Sequence, residues 1–449
     1  MKTLLTVCLI TLAALAVVLT LACGSGPETP AAGTDKLSIL SPHTTDIRDN
    51  MLPLFRDWYR RKTGRSINVE WINQGGSSDN LRFIRSEFAR TPQGIHVDLF
   101  WGGGISPHLT LKKEGLLQRT ELDPAVVNAI PKEVSGIPIY DPELQWYGSC
   151  LSTFGILSHE MVRQYQKFPE IRTWEDLTDP AVKGWISVAD PRHSGVGHVA
   201  FDIILQAYGW EKGWQVLNLL SANVKKFKIS SKDVVKDLVS GDAAYTLVVD
   251  YYAWREVEDL GADKVKFVVP DGLSIVNPDC FSLLKGADNA AAAKLFMEYV
   301  LSPEGQQVWM LRKGVPGGPP QSSLYRLSLL PPVYDAVKGR TLITENPFQS
   351  AAFINYDLGL GERLWDVQND LMGTFLVDAH DSLVSGWEAV IRGGRKPAAV
   401  AALCRMPVDQ TEVEALALRW DDEKLRNEKI NAWLQFARQR SQEAIRLSR

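Results

Sequence analysis

Leu37-Ser38-Ile39-Leu40-Ser41 is an apolar run; Pro42-His43-Thr44-Thr45 follows it, and apolar residues then recur at Ile47, Met51, Leu54, Phe55 and Trp58. The first five residues fit a buried strand, and the three-and-four spacing after Thr45 is that of a helix with one apolar face. Thr63-Gly64 stops the helix, because glycine adopts the left-handed conformation that ends helices. The alternation then repeats. Residues 66–72 read as a second strand, Gly75-Gly76-Ser77-Ser78 as a polar loop, the stretch from Leu81 to Phe88 as a helix and residues 97–101 as a third strand. Strands separated by helices build βαβ units and a parallel sheet. Ligands of such sheets gather beyond the carboxyl ends of the strands, where helix N-termini also point. The loops at 41–45, 75–78 and 102–106 all fall there, so the expected class is α/β with a site at those loops.

The same pattern restarts at Trp185. Residues 186–189 read as a strand, Asp190-Pro191-Arg192-His193-Ser194-Gly195-Val196-Gly197-His198 as a loop, and Phe201, Ile204, Leu205 and Tyr208 as one face of a helix. Further strands are expected at 224–229, 243–249 and 265–269. This makes a second α/β lobe. Residues 287–311 read as two helices split at Ser302-Pro303, and the chain from Glu362 onward is helical in pattern, ending in a charged amphipathic stretch over 412–448.

Composition narrows the function. The chain has 449 residues, 45% hydrophobic and 23% charged, which suits two or three globular units. Its 49 Lys and Arg against 53 Asp and Glu leave a net charge of −4, with no excess of positive field for nucleic acid. Five cysteines without a Cys-x-x-Cys spacing exclude a disulfide scaffold and a thiolate zinc site. The seven histidines form no His-Glu-x-x-His pattern, and no Gly-x-Ser-x-Gly elbow occurs. A secreted hydrolase is therefore the weaker alternative to a binding protein; it would turn over chromogenic esters or phosphates. Met1-Lys2 and the uncharged run over 3–22 read as a secretion signal.

Leu21-Ala22-Cys23-Gly24 resembles the lipobox of bacterial lipoproteins, although Thr20 stands where that motif has an aliphatic residue; the likeness implies lipidation of Cys23. Farther on, Ser41-Pro42-His43, Val97-Asp98-Leu99-Phe100-Trp101-Gly102-Gly103-Gly104, the run from Trp174 to Gly184, Ala189-Asp190-Pro191-Arg192-His193-Ser194-Gly195, Asp250-Tyr251-Tyr252-Ala253 and Ser302-Pro303-Glu304-Gly305-Gln306 occur in an order that resembles the extracytoplasmic solute-binding proteins of bacterial ABC importers. The resemblance is to the ferric-ion-binding branch and its relatives that bind phosphorylated sugars or phosphonates. It implies the two-lobed, type II periplasmic-binding-protein fold with hinged crossing strands. The implied division is a signal peptide over 1–22, a flexible tether over 23–35, lobe one from 36–149 plus 281–330, lobe two from 150–280 and a mainly helical extension over 331–449. The implied role is capture of a small anionic solute, or of ferric iron with a synergistic anion, by a monomer held to the membrane by its lipid and serving an ABC permease and ATPase. A sensor-coupled subunit without transport is the alternative.

The resemblance also assigns residues. Tyr251 and Tyr252 match the tandem tyrosine ligands of iron binders and His43 their histidine, so these three would hold the metal if ferric iron is the ligand. Ser194, Gly195 and Val196 match the loop that receives the synergistic anion or an organic phosphate, at a helix start where free amides favour anions. Thr44, Ser77, Gly102 and Gly103 offer further donors, and Trp101 is expected to stack on an organic ligand. No cofactor beyond transported iron is implied. Cys150 and Cys280 fall in the segments that carry the chain out of and back into lobe one, so a disulfide between them is expected, with two unbonded buried thiols as the alternative.

Overall fold

The computed structural model describes residues 33–350 and 353–449; the signal segment and Cys23 lie outside the described residues. Strand β1 (Asp35–Leu40) pairs in parallel with β2 (Ile67–Ile72) and β3 (Leu99–Trp101). Helices α1 (Thr45–Thr63) and α2 (Ser77–Arg90) make the crossovers. Gly64 ends α1 at φ 71, its N–H reaching the Arg60 carbonyl, as the stop signal requires. Helix α2 begins at Ser77, ahead of the expected Leu81, because the polar Ser-Ser pair forms its first turn behind Gly76.

Beyond a short antiparallel hairpin, β4 (Glu133–Val134) with β5 (Ile137–Pro138), strand β6 (Tyr147–His159) ties the lobes together. Its first half pairs with β11 (Val276–Leu283) in the sheet of lobe one, and its second half pairs with β9 (Tyr245–Val249) and β10 (Val265–Val268) in the sheet of lobe two. With β7 (Ile186–Ala189) and β8 (Val224–Lys228) the order is β2-β1-β3-β11-β6-β9-β7-β8. Strands β6 and β11 are thus the antiparallel crossing pair of a type II binding-protein fold. Helices α3 (Ser106–Lys113), α4 (Gly195–Tyr208), α5 (Trp210–Asn223), α6 (Ser231–Val239) and α7 (Asp250–Leu260) flank the two halves.

Two cores follow the two lobes. Phe55, Trp101, Phe296 and Trp309 centre the first, which also takes in Val333, Val337 and Ile343. Trp174, Trp214 and Trp387 centre the second, into which the later helices α8 (Leu358–Met372), α9 (His380–Arg392), α10 (Pro397–Cys404), α11 (Gln410–Ala417) and α12 (Glu423–Ser448) pack. The extension therefore stays with lobe one to Ile343 and covers lobe two from Leu358 on. No helix among the described residues is long and apolar enough to cross a membrane.

The expected disulfide is not formed; Cys150 and Cys280 are free, buried thiols. They do lie on adjacent strands, but Cys150 stands opposite Asp279 and Cys280 opposite Gly148 across a register shift. A one-residue offset sends neighbouring side chains to opposite faces. Cys150 enters the lobe-one core, whereas Cys280 packs with Ile105 and Trp146.

Candidate functional site

A cleft of about 1920 Å³ lies between the lobes. On the lobe-one wall α1, α2 and α3 all start at its edge, and their N-cap residues Thr44, Gly76 and Ile105 make no side-chain cap bond. The positive ends of their dipoles thus lie at the cleft edge, offset in α1 and α2 by the first-turn carboxylates Asp46 and Asp79, the latter accepting from Gly76 N at 3.0 Å. On the lobe-two wall Ser194 caps α4 through Gly197 N (3.2 Å), and its Oγ lies 2.8 Å from Ser231 Oγ at the start of α6. Two helix starts meet there beside Gly195 and Val196.

The floor is the crossing pair. Asp279 of β11 accepts from His43 Nε2 at 2.6 Å, from Arg326 Nη1 at 3.1 Å and from Gly104 N at 3.0 Å. The neighbouring His43 and Arg326 hold its carboxyl well below the ordinary range although burial pushes the other way. With Asp279 as acceptor the His43 proton sits on Nε2, and among the described residues Nδ1 is buried without a partner. Arg326 lies 4.1 Å from the centre of the Tyr251 ring. Among the described residues only its Nη1 is engaged by hydrogen bonds, which leaves Nε and Nη2 for a group in the cleft.

Of the residues expected at the site, His43, Thr44, Ser77, Gly103, Ser194, Gly195, Val196, Tyr251 and Tyr252 all line this cleft. Trp101 does not. It is fully buried, its Nε1 donates to Ser149 Oγ at 2.9 Å, and the rings of His43, Trp71, Phe296 and Trp309 surround it edge-on. Strand alternation turns it into the lobe-one core. Gly102, next in the chain, sits just behind the wall at φ 106, where a Cβ would come 2.7 Å from His43 Nε2. The glycine is needed for the close approach as much as for the turn.

His108 holds this turn from beneath: Nε2 meets Gly102 O at 3.2 Å and Nδ1 meets Ser282 Oγ at 2.8 Å. The carbonyl must accept, so the ring is neutral with its proton on Nε2, and burial pushes its pKa down to about 4. On unfolding the ring returns to the ordinary value near 6.5, so below that pH the unfolded chain binds the extra proton and the fold loses stability as pH falls towards 4. The stability advantage of the wild type over His108→Asn is expected to shrink by up to about 3 kcal/mol between pH 7 and pH 4 in paired urea titrations. An advantage equal at both pH values would count against a neutral His108.

Sequence reasoning missed several cleft residues. Arg326 stands inside the apolar run from Leu324 to Leu330, and a lone arginine in such a run is the signal that it is paired and functional. Asn277, Asp279, Glu362, Arg363, Trp365 and Asp366 also line the cleft, the last four from the extension. Trp365 lies 3.6 Å from the His198 ring, centre to centre, and Asn369 bridges them: its nitrogen is 2.7 Å from His198 Nδ1 and its oxygen 3.1 Å from Trp365 Nε1. Arg192, which joins Asp190 at 2.8 Å and Asp378 at 3.0 Å, fixes the same loop from its other end. Among the described residues no group of three or more His, Cys, Asp or Glu could hold a metal ion.

A family model described as bacterial extracellular solute-binding protein matches residues 105–327. An uncharacterized protein of Haemophilus influenzae strain Rd is 31% identical over 291 residues, which cover 64% of this chain and 79% of that protein. The phosphoglycerate transport regulatory protein PgtC of Salmonella typhimurium is 28% identical over 159 residues, 35% of this chain; the match spans only 39% of PgtC. The periplasmic binding protein AfuA from Actinobacillus pleuropneumoniae, solved with fructose-6-phosphate bound, aligns with a TM-score of 0.51 at 23% identity over 61% of this chain and 81% of AfuA. That last likeness is one of fold.

Proposed function

The chain belongs to the family of bacterial extracellular solute-binding proteins, and from that premise we propose that it captures a small phosphorylated organic anion between its lobes and delivers it to an ABC permease. The observation that carries this reading is the charge of the cleft. Nine Lys and Arg line it against five Asp and Glu, in a chain whose net charge is −4. Arg326 on the floor with two nitrogens unused, and the amides of Gly195 and Val196 on the wall, are donors suited to phosphate oxygens. PgtC, whose name associates it with phosphoglycerate, and AfuA, solved with a sugar phosphate, are similar proteins consistent with this class. The family is extracytoplasmic, and it is a family of solute-binding proteins, which supports binding over hydrolysis. Anchoring through a lipidated Cys23 and action as a monomer are part of the proposal.

Ferric iron suits the cleft less well. A hard trivalent cation wants ionised phenolates and carboxylates. Burial instead pushes the Tyr251 phenol well up, a guanidinium already covers its ring, His43 is bound to Asp279, and glycines 102–104 offer no carboxylate to a metal. In thermal denaturation, an organophosphate at a hundredfold excess over its Kd should stabilise the protein by about 2.7 kcal/mol. Fructose 6-phosphate, 3-phosphoglycerate and inorganic phosphate are the probes, and ferric citrate should leave the protein colourless. An unmoved melting curve with all three, or a visible charge-transfer band with ferric citrate, would overturn the reading.

A further inference from the structure

Helix α8 has two faces. Leu364, Val367, Leu371 and Met372 enter the lobe-two core. Gly359, Glu362, Arg363 and Asp366 recur at the three-and-four spacing of the other face, and all of them line the cleft. The helix is fixed at both ends. Asp370 accepts from Trp420 Nε1 at 2.9 Å and from Arg426 Nε at 3.0 Å, and the Tyr356 hydroxyl just before the helix donates to Asp202. At the same N-terminal end Leu358 packs against both the lobe-two core and the Ile105 and Leu109 cluster of lobe one. A segment outside the two lobes thus spans from one to the other at the cleft.

Its polar groups keep bonding capacity for a ligand. Glu362 hydrogen-bonds with Ser106 and faces Lys113 of lobe one, and among the described residues its Oε1 is buried without a hydrogen-bond partner. Arg363 forms no ion pair among the described residues. A Cβ at Gly359 would come 3.3 Å from Arg363 Nη1, so the bare glycine lets the guanidinium lie along the helix within the cleft. Two carboxyls would oppose a second anionic group on the ligand, and an apolar ligand end would leave all three side chains unsatisfied. Planar carboxyl and guanidinium groups, each offering two hydrogen-bonding atoms side by side, fit neighbouring hydroxyls.

The geometry points to α8 as a third wall of the binding site, on which Glu362, Arg363 and Asp366 are specificity-determining residues that read the polyhydroxylated, non-phosphate end of the ligand. This rests on the organophosphate reading above, with the phosphate held by Arg326 and the Ser194 loop. Calorimetric titration of the full exported chain with fructose 6-phosphate, ribose 5-phosphate and inorganic phosphate tests it. At least one sugar phosphate should bind the wild type more tightly than phosphate does. Glu362→Gln and Arg363→Met should each weaken that sugar phosphate about tenfold while changing inorganic phosphate by less than about twofold. Phosphate binding serves as the internal measure of a correctly folded cleft. Variants that lose phosphate and sugar phosphate in parallel, variants that lose neither, or a wild type with no preference for either sugar phosphate would each overturn the third wall and leave the organophosphate site standing. A wild type that binds none of the three probes would overturn both.

Discussion

Arg326→Met is expected to cost about 3–5 kcal/mol of folding stability and to remove phosphate binding. Arg326 and Asp279 are each only 9% exposed at the side chain, and their ion pair at 3.1 Å lies on the strand pair that joins the lobes. Deleting the guanidinium leaves Asp279 with His43 and one amide, and burial opposes charging that histidine. An uncompensated buried carboxylate is costly whatever the native pair was worth. The ligand loses the floor cation at the same time, since Nε and Nη2 are the nitrogens left for it. Two effects are therefore superimposed, and a second variant separates them. Arg326→Met combined with Asp279→Asn should recover much of the stability, because the orphaned charge is gone, and none of the phosphate affinity. Urea denaturation and phosphate calorimetry on the wild type and the two variants read both. A single Arg326→Met variant as stable as the wild type would refute the buried-charge account, and one that binds phosphate unchanged would refute the anchor.

Much of this architecture was legible because it is written in local spacing. The strand-helix rhythm of residues 37–101 and its restart at Trp185 placed β1 to β3 and β7 within a residue or two of where they lie. The paired polar loops led to the cleft because strand ends and helix starts coincide in parallel sheets. Contacts between distant segments were less legible. Asp279 and Arg326 are 47 residues apart, and nothing in the apolar pattern around either one announces the other. Helix α8 reads as amphipathic, but periodicity fixes only that one face is buried and says nothing of what the polar face meets. The long stretch over 412–448 also divides, because Asp422 caps a new helix through Lys424 N and Leu425 N. The cysteine pair failed on the finest detail, a single residue of register, which hydrophobic pattern specifies weakly where both faces of a strand are buried.

Trp101→Ala should destabilise the protein by about 3–5 kcal/mol while the folded fraction keeps its affinity for phosphate. The side chain is fully buried, and truncation opens a cavity walled by Trp71, Phe296 and Trp309 that the rigid core cannot collapse to fill. A residue beside the cleft in sequence would act differently if it stacked on the ligand: its loss would weaken binding and leave the fold nearly intact. Trp101→Phe makes the distinction sharper. It keeps the six-membered ring and removes the pyrrole ring with its N–H, which leaves only a small cavity, and Ser149 Oγ still donates to Asp279 O at 2.8 Å, so the expected cost is about 1–3 kcal/mol. His43, whose ring meets Trp101 edge-on at 5.0 Å, is also held by Asp279 and by its own backbone bond to Ser41, so it should stay in place in the Phe variant. Chemical denaturation and phosphate titration of both variants decide the matter: a stable Trp101→Phe with strongly weakened ligand binding would return Trp101 to the site, whereas falling stability with unchanged affinity places it in the core on which the cleft is built.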